Sequence, residues 1–181
     1  MKLNLGCGTK LLSDYVNVDK YGKADIVHNL EEIPYPWKNN EIEEIILHHV
    51  LEHLGETPTN FMKIMKEFYR ICKPNSLIKI TVPHPRSDNF INDPTHIRII
   101  TYDTLVMFSK KFNLECQKQG YSNSQFGLEY DVDFEITKYE QTFYSEWDVN
   151  NCKFDRSFAI KHYNNVIMDL YFELKVIKEE K

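Results

Sequence analysis

The sequence predicts an α/β fold built on an open sheet, mainly parallel, with an antiparallel C-terminal edge. Three observations carry this. Short apolar runs ending in glycine or polar residues recur through the first half, an amphipathic helix joins two of them, and the second half switches to period-two patterning. Strand-to-strand joints that carry helices favour parallel pairing with right-handed crossovers.

Taken in order, Leu3-Asn4-Leu5 runs into Gly6-Cys7-Gly8, a strand ending in a glycine turn. Tyr15-Val16-Asn17-Val18 ends at Asp19, and Asp25-Ile26-Val27-His28 ends near Asn29. Ile45-Ile46-Leu47 ends at His48, and Leu77-Ile78-Lys79-Ile80-Thr81-Val82 stops at Pro83. Compact runs of this kind belong to strands covered on both faces. Between the last two, Thr57 serves as N-cap and Pro58 as first helical residue. Phe61, Ile64, Met65, Phe68 and Cys72 keep helical spacing until Lys73-Pro74 closes the element. A second helix is expected over residues 102–111. Beyond it Tyr130, Val132, Phe134 and Ile136 alternate with acids, and Met168, Leu170, Phe172, Leu174 and Val176 share one face. The aromatic enrichment of this half reads either as edge-strand core or as a wall around a substrate.

A chain of 181 residues suits one domain over 1–181, with a ligand-binding half (1–85) and a substrate, lid and edge-strand half (86–181). With 22 Lys+Arg against 27 Asp+Glu, the formal net charge is −5, which weighs against a polyanion binder relying on global charge. No apolar run approaches the ~20 residues that span a bilayer. The N-terminus lacks the apolar stretch of a signal peptide, so a cytoplasmic location is expected. Cys7, Cys72, Cys116 and Cys152 are scattered without a C-x-x-C pair and read as buried free thiols.

The chemistry begins at Gly6-Cys7-Gly8, where backbone can approach a ligand closely because no Cβ obstructs it. An acid ending the next strand, Asp19, can accept both hydroxyls of a ribose; together they describe a nucleoside cofactor across the carboxyl ends of the first two strands. The dinucleotide pattern G-x-G-x-x-G fails, because Leu11 stands at its third glycine. Residues 9–14 are also too few for the crossover helix whose N-terminus holds a pyrophosphate. A cofactor without phosphate fits better than NAD.

Here the sequence resembles the class I S-adenosylmethionine-dependent methyltransferases. The likeness runs from Leu3-Asn4-Leu5-Gly6-Cys7-Gly8 and Val16-Asn17-Val18-Asp19 through His28-Asn29-Leu30 and Ile33-Pro34-Tyr35. It continues in His49-Val50-Leu51-Glu52-His53-Leu54 and Tyr69-Arg70-Ile71-Cys72-Lys73-Pro74-Asn75, and closes with Ile80-Thr81-Val82-Pro83. It is nearest to short predicted members that begin at the first strand, many without an assigned substrate. The resemblance implies a Rossmann-like methyltransferase sheet with S-adenosylmethionine as cofactor. It implies that the backbone of Gly6, Cys7 and Gly8 meets the methionine part, Asp19 the ribose, and Lys20, Asn29 and Leu30 the adenine. Leu47 and His48 would flank the reacting methyl. Asn4 departs from the acid often found near the cofactor's amino group, and Asn75 from a usual glycine. Larger members carry helices before the first strand that help to roof the site. The roof is expected here from residues 83–98, from residues 119–154, or from a partner subunit.

Other signals compete. His49-Val50-Leu51-Glu52-His53 matches the H-x-x-E-H of inverted zinc peptidases, but no further Cys or His cluster suggests a third ligand, so no metal is expected. His84 follows the fifth strand, and residues 92–98 hold a polar cluster. Methyl transfer to a hydroxyl or protonated amine needs a base, which His84 or His96 can supply. Asp93 and Arg98 are candidate substrate contacts, Arg98 as a clamp for carboxylate or phosphate. Equally, Asp93, His96 and Arg98 read as ties holding the loop down. Base-methylation motifs are absent, and Lys110-Lys111 reads as a solvated helix end. A small-molecule acceptor, such as a sugar or other metabolite, is therefore expected. Its rival is a scaffold protein without turnover, and a homodimer paired through residues 168–176 stands beside an internal hairpin.

Overall fold

The computed structural model describes residues 1–147 and 155–178. Strands form at β1 (Lys2–Leu5), β2 (Val16–Asp19), β3 (Ile26–Val27), β4 (Ile42–His48), β5 (Cys72–Pro83), β6 (Phe134–Phe143) and β7 (Ile167–Val176). They make one sheet in the order β3-β2-β1-β4-β5-β7-β6. Strands β1 to β5 pair in parallel. Strand β7 pairs antiparallel with both β5 and β6, so it alone is reversed and β6 returns to the common direction. The antiparallel C-terminal edge is thus one reversed strand slotted inside the rim. Because both sides of β7 are paired, the internal hairpin holds and the open edge for a dimer is absent there.

Helix α1 (Pro58–Ile71) starts as its sequence dictates: the Thr57 hydroxyl accepts the Asn60 N–H at 3.2 Å, and Pro58 needs no donor. Its apolar stripe, including Phe61, Ile64, Met65 and Phe68, is buried against the sheet, each side chain contributing about 1.5–3 kcal/mol. Cys72 already belongs to β5 rather than to the helix, and Asn75 takes the left-handed backbone of a turn (φ 63°).

Three expectations change. The helix over 102–111 divides into α3 (Tyr102–Val106) and α4 (Lys110–Gln119), each with its own N-cap, Thr101 and Ser109. The junction is fixed from outside by Gly127, whose N–H donates to the Met107 carbonyl, while the α carbon sits so close that a Cβ would lie 2.8 Å from the Lys110 nitrogen. Lys110 therefore opens a helix, paired with Asp131, rather than ending one. The alternation from Tyr130 to Val132 is a turn after the short α5 (Phe126–Glu129), with Asp131 left-handed, and pairing starts only at Phe134. Finally, β4, β5 and β7 bury one face: Ile45, Leu47, Ile78, Ile80, Phe172 and Leu174 are in the core, whereas Glu44, Lys79, Tyr171 and Glu173 on the other face are half-buried. Single-turn helices and α6 (Arg156–His162) complete the fold, among them α2 (Asp88–Ile91). No described helix is long and apolar enough to cross a membrane. The thiols of Cys7, Cys72 and Cys116 are free and buried; Cys152 and residues 148–154 lie outside the described residues.

Candidate functional site

The strand order reverses between β1 and β4, so the loops leaving their carboxyl ends diverge there, and open α/β sheets bind ligands in the crevice this leaves. A cavity of about 360 Å³ lies at that point, lined among others by Gly6, Asp19, Lys20, His28, Asn29 and Leu30, and on its other side by His49, Val50, His53 and Thr95. A larger groove of about 950 Å³ at the amino ends of the strands is lined by Glu67, Arg70, Lys110, Asp131 and Lys178. Four of these charges are spent on one another, in the Arg70–Glu67 and Lys110–Asp131 pairs, and Lys178 donates to Asn40 Oδ1 and the Cys72 carbonyl.

Gly6 is required twice over. Its φ is +64°, and a Cβ there would stand 2.5 Å from Cγ2 of Val50. Gly8 follows at φ +51° with open space around it. Asp19 fastens this turn: Oδ2 accepts the Gly8 N–H at 2.9 Å and Oδ1 accepts the Tyr21 N–H at 2.9 Å. Between them Cys7 is buried, and burial together with the Asp19 charge pushes its thiol up. The buried Asn4 donates to the Lys10 carbonyl and to Asn17 Oδ1. It is thus a brace for the 7–15 loop, which explains an amide where an acid was expected. On the far wall Asn29 Oδ1 accepts the Glu31 N–H, and Leu30 is buried with its carbonyl held by the Tyr35 hydroxyl. Leu47 is fully buried in the core, and His48 is exposed beside His49, ring centroids 4.5 Å apart.

No family model matches the chain, and no curated protein matches its sequence. Solved structures do match. A SAM-dependent methyltransferase from Archaeoglobus fulgidus superposes with a TM-score of 0.59 at 20% identity, covering 96% of this chain and 85% of that one. One from Methanosarcina mazei gives 0.57 at 14%, covering 98% and 92%. The Burkholderia thailandensis 1,6-didemethyltoxoflavin-N1-methyltransferase, with 1,6-didemethyltoxoflavin and S-adenosylhomocysteine bound, gives 0.54 at 9%, covering 98% and 71%. This chain has the S-adenosylmethionine-dependent methyltransferase fold.

Within that methyltransferase fold, residues 92–98 form part of the cavity wall. Backbone N–H groups of Ile97 and Arg98 both donate to the Glu52 carbonyl at 3.1 Å, which brings Thr95 to the cavity. The 83–98 connection thus supplies Thr95 to the cavity lining, and the described part of 119–154 supplies none of the lining residues. Arg98 donates to the carbonyls of Leu54 and Gly55 and lies 4.1 Å over the Phe61 ring, the contacts of a loop tie. Asp93 Oδ1 accepts the Thr95 N–H and hydroxyl.

The two expected bases differ. His84 Nδ1 accepts the Arg86 N–H at 3.1 Å, so a neutral ring carries its proton on Nε2 and presents a donor; burial and the Arg86 charge hold its pKa down. His96 Nδ1 donates to the Phe90 carbonyl at 2.9 Å, and its Nε2 stands 3.9 Å from Glu52 Oε1.

Sequence reasoning missed two residues. His28 has a buried Nε2 without a hydrogen-bond partner. His49 lines the cavity in a left-handed backbone (φ 55°), with Nδ1 3.5 Å from Glu52 Oε1 and Nε2 3.9 Å from Asp169 Oδ1. The Glu52 carboxylate holds its pKa above the ordinary value against the opposing effect of burial. The H-x-x-E-H segment is also no α-helix but a single 3₁₀ turn over Leu51–His53, and the His96 side chain approaches it, one nitrogen or oxygen atom of each of Glu52, His53 and His96 lying within 4.8 Å of the others. Nothing in chain spacing signals it, since 44 residues separate Glu52 from His96 (96 − 52).

Proposed function

We propose that this protein binds S-adenosylmethionine in the cavity between the carboxyl ends of β1 and β4 and transfers its methyl group to a small-molecule acceptor. The observation that carries the reading is the Gly6 turn, where left-handed backbone and a Cβ position closed by Val50 leave naked backbone at the cavity wall beside a carboxylate. The residues present fit the group. Gly6, Cys7 and Gly8 offer backbone to its methionine part, and Asp19 offers the ribose hydroxyls the lone pairs it does not spend on Gly8 and Tyr21. Lys20, Asn29 and Leu30 border the adenine, and the orphaned His28 Nε2 gains a partner. Leu47 contributes only as core beneath the site, with His48 at the methyl end.

When bound, the cofactor supplies an electrophilic methyl on a sulfonium, so the chain has mainly to hold an acceptor in line and keep water out. Where the acceptor atom carries a proton, His49 removes it, being the imidazole that both lines the cavity and is flanked by two carboxylates. His84 acts as a hydrogen-bond donor to the acceptor from the carboxyl end of β5. A small acceptor is supported by the net charge of −5, by the pairing of Lys110 with Asp131, and by the ligand of the Burkholderia protein.

Calorimetric titration with S-adenosylhomocysteine, with NAD as control, tests the reading. Micromolar binding that is lost in Asp19→Ala is the expected result. Absence of binding to folded protein, or equal binding of NAD, overturns it.

A further inference from the structure

We propose that Glu52, His53 and His96 form a binding site for a divalent cation of the zinc class at the wall of the cavity. Each offers one ligating atom, and the three atoms lie within 4.8 Å of one another. Glu52 is the decisive member: its side chain is fully buried and neither carboxylate oxygen has a hydrogen-bond partner. A buried carboxylate without hydrogen bonds is costly to hold unless a cation stands against it. The His49 Nδ1 lies 3.5 Å from Oε1, at the outer limit of a hydrogen bond, and Oε2 has no hydrogen-bond partner.

Both imidazoles are set to donate a lone pair. His96 Nδ1 is held by the Phe90 carbonyl at 2.9 Å, and His53 Nδ1 by the Thr95 carbonyl at 3.2 Å and by the Thr95 hydroxyl oxygen at 3.0 Å, whose own proton goes to Asp93 Oδ1. A carbonyl only accepts, so each neutral ring keeps its proton on Nδ1 and leaves Nε2 bare. This is the arrangement by which backbone carbonyls orient metal-bound histidines. His96 Nε2 stands 3.9 Å from Glu52 Oε1 and 3.8 Å from Asp93 Oδ2, whose companion oxygen is held by Thr95. Ligands on tetrahedral zinc are about 3.4 Å apart, so the His96–Glu52 pair needs to close by only about 0.5 Å. Two imidazoles and one carboxylate suit zinc, cobalt or nickel better than magnesium or calcium, and three protein donors leave a coordination position open.

The test is titration of chelator-treated protein with Co²⁺, followed by visible absorption, then competition with Zn²⁺. One equivalent of cobalt should give a nitrogen–oxygen ligand-field spectrum that one equivalent of zinc abolishes. His53→Ala and His96→Ala should each weaken cobalt binding by more than about tenfold, since even outer partners of a metal site are worth roughly 10–100-fold. His162→Ala, in the last turn of α6, should leave it unchanged. Glu52→Gln should weaken it likewise; if circular dichroism shows that variant unfolded, the half-exposed His53 decides. No cobalt spectrum, or equal affinity in the His53 and His96 variants, overturns the proposal. No cofactor is present in the titration, so its outcome is separate from that of the S-adenosylhomocysteine experiment.

Discussion

The Asp19 carboxylate accepts the Gly8 N–H through one oxygen and the Tyr21 N–H through the other, both at 2.9 Å. One side chain at the end of β2 therefore holds the glycine turn after β1 in place before any ligand arrives. Preorganisation of this kind reduces the ordering cost of binding. Asp19→Ala should raise the S-adenosylhomocysteine Kd by more than about tenfold, or ~1.4 kcal/mol. It should also speed hydrogen exchange at the Gly8 and Tyr21 amides. Unchanged exchange at both would remove the bracing role and leave only a direct contact with the ligand.

The fit of Gly6 against Val50 gives a sharper test, because two costs can be separated. Gly6→Ala introduces a Cβ into 2.5 Å of space and puts alanine at φ +64°. Overpacking costs about 1–3 kcal/mol and the left-handed backbone roughly 1 kcal/mol more. Adding Val50→Ala relieves the first cost and not the second. Denaturant unfolding should therefore show the double variant more stable than the sum of the two single losses by at least about 1 kcal/mol. Strict additivity would mean that Val50 does not close the Cβ position.

Away from the cavity, Arg70 and Glu67 make a two-pronged pair, Nε to Oε1 at 2.7 Å and Nη2 to Oε2 at 2.7 Å. Glu67 also accepts the Tyr35 N–H, while Arg70 holds the carbonyls of Tyr35 and Trp37. The Arg70 guanidinium holds the Glu67 carboxyl below the usual carboxylate range. A lowered folded-state pKa means stability that is fully present above the unfolded value of about 4.3 and lost as pH falls through the folded value. Glu67→Gln should lower stability at pH 7 by about 1–3 kcal/mol and flatten the acid limb of the Tm-versus-pH curve. A variant whose curve keeps the parental acid limb would show that other carboxylates govern it.

What the sequence made legible follows from range. Strands β1 to β5 and α1 are written in local apolar periods and in the Thr57-Pro58 start, and the structure keeps them. Gly6 and Asp19 were readable because a strand, a turn and a second strand lie within a few residues. The α3–α4 break was not, since Gly127 fixes it from beyond the helix. Val132 likewise mimics a strand position while packing from a turn. The Glu52–His96 approach depends on Ile97 and Arg98 bonding to the Glu52 carbonyl, a contact with no local signature. His49 was legible only as part of a zinc pattern, whereas its place in the cavity comes from a left-handed residue directly after β4.

That left-handed residue gives the most direct test of chemistry. His49 meets Glu52 on one side and Asp169 on the other, and burial pushes the Asp169 carboxyl up while the His49 charge opposes it. Alanine is a poor probe, because it is strained at φ 55°, whereas asparagine tolerates that backbone. His49→Asn should keep the fold and leave the S-adenosylhomocysteine Kd within about threefold. It should lower kcat by roughly 100-fold or more for an acceptor that must lose a proton, the range seen for removal of a general base. An acceptor atom with no proton to lose, such as a tertiary amine or a thioether, should be methylated at nearly the parental rate. Equal loss for both acceptor types would make His49 a positioning residue, and unchanged turnover with both would take it out of the reaction.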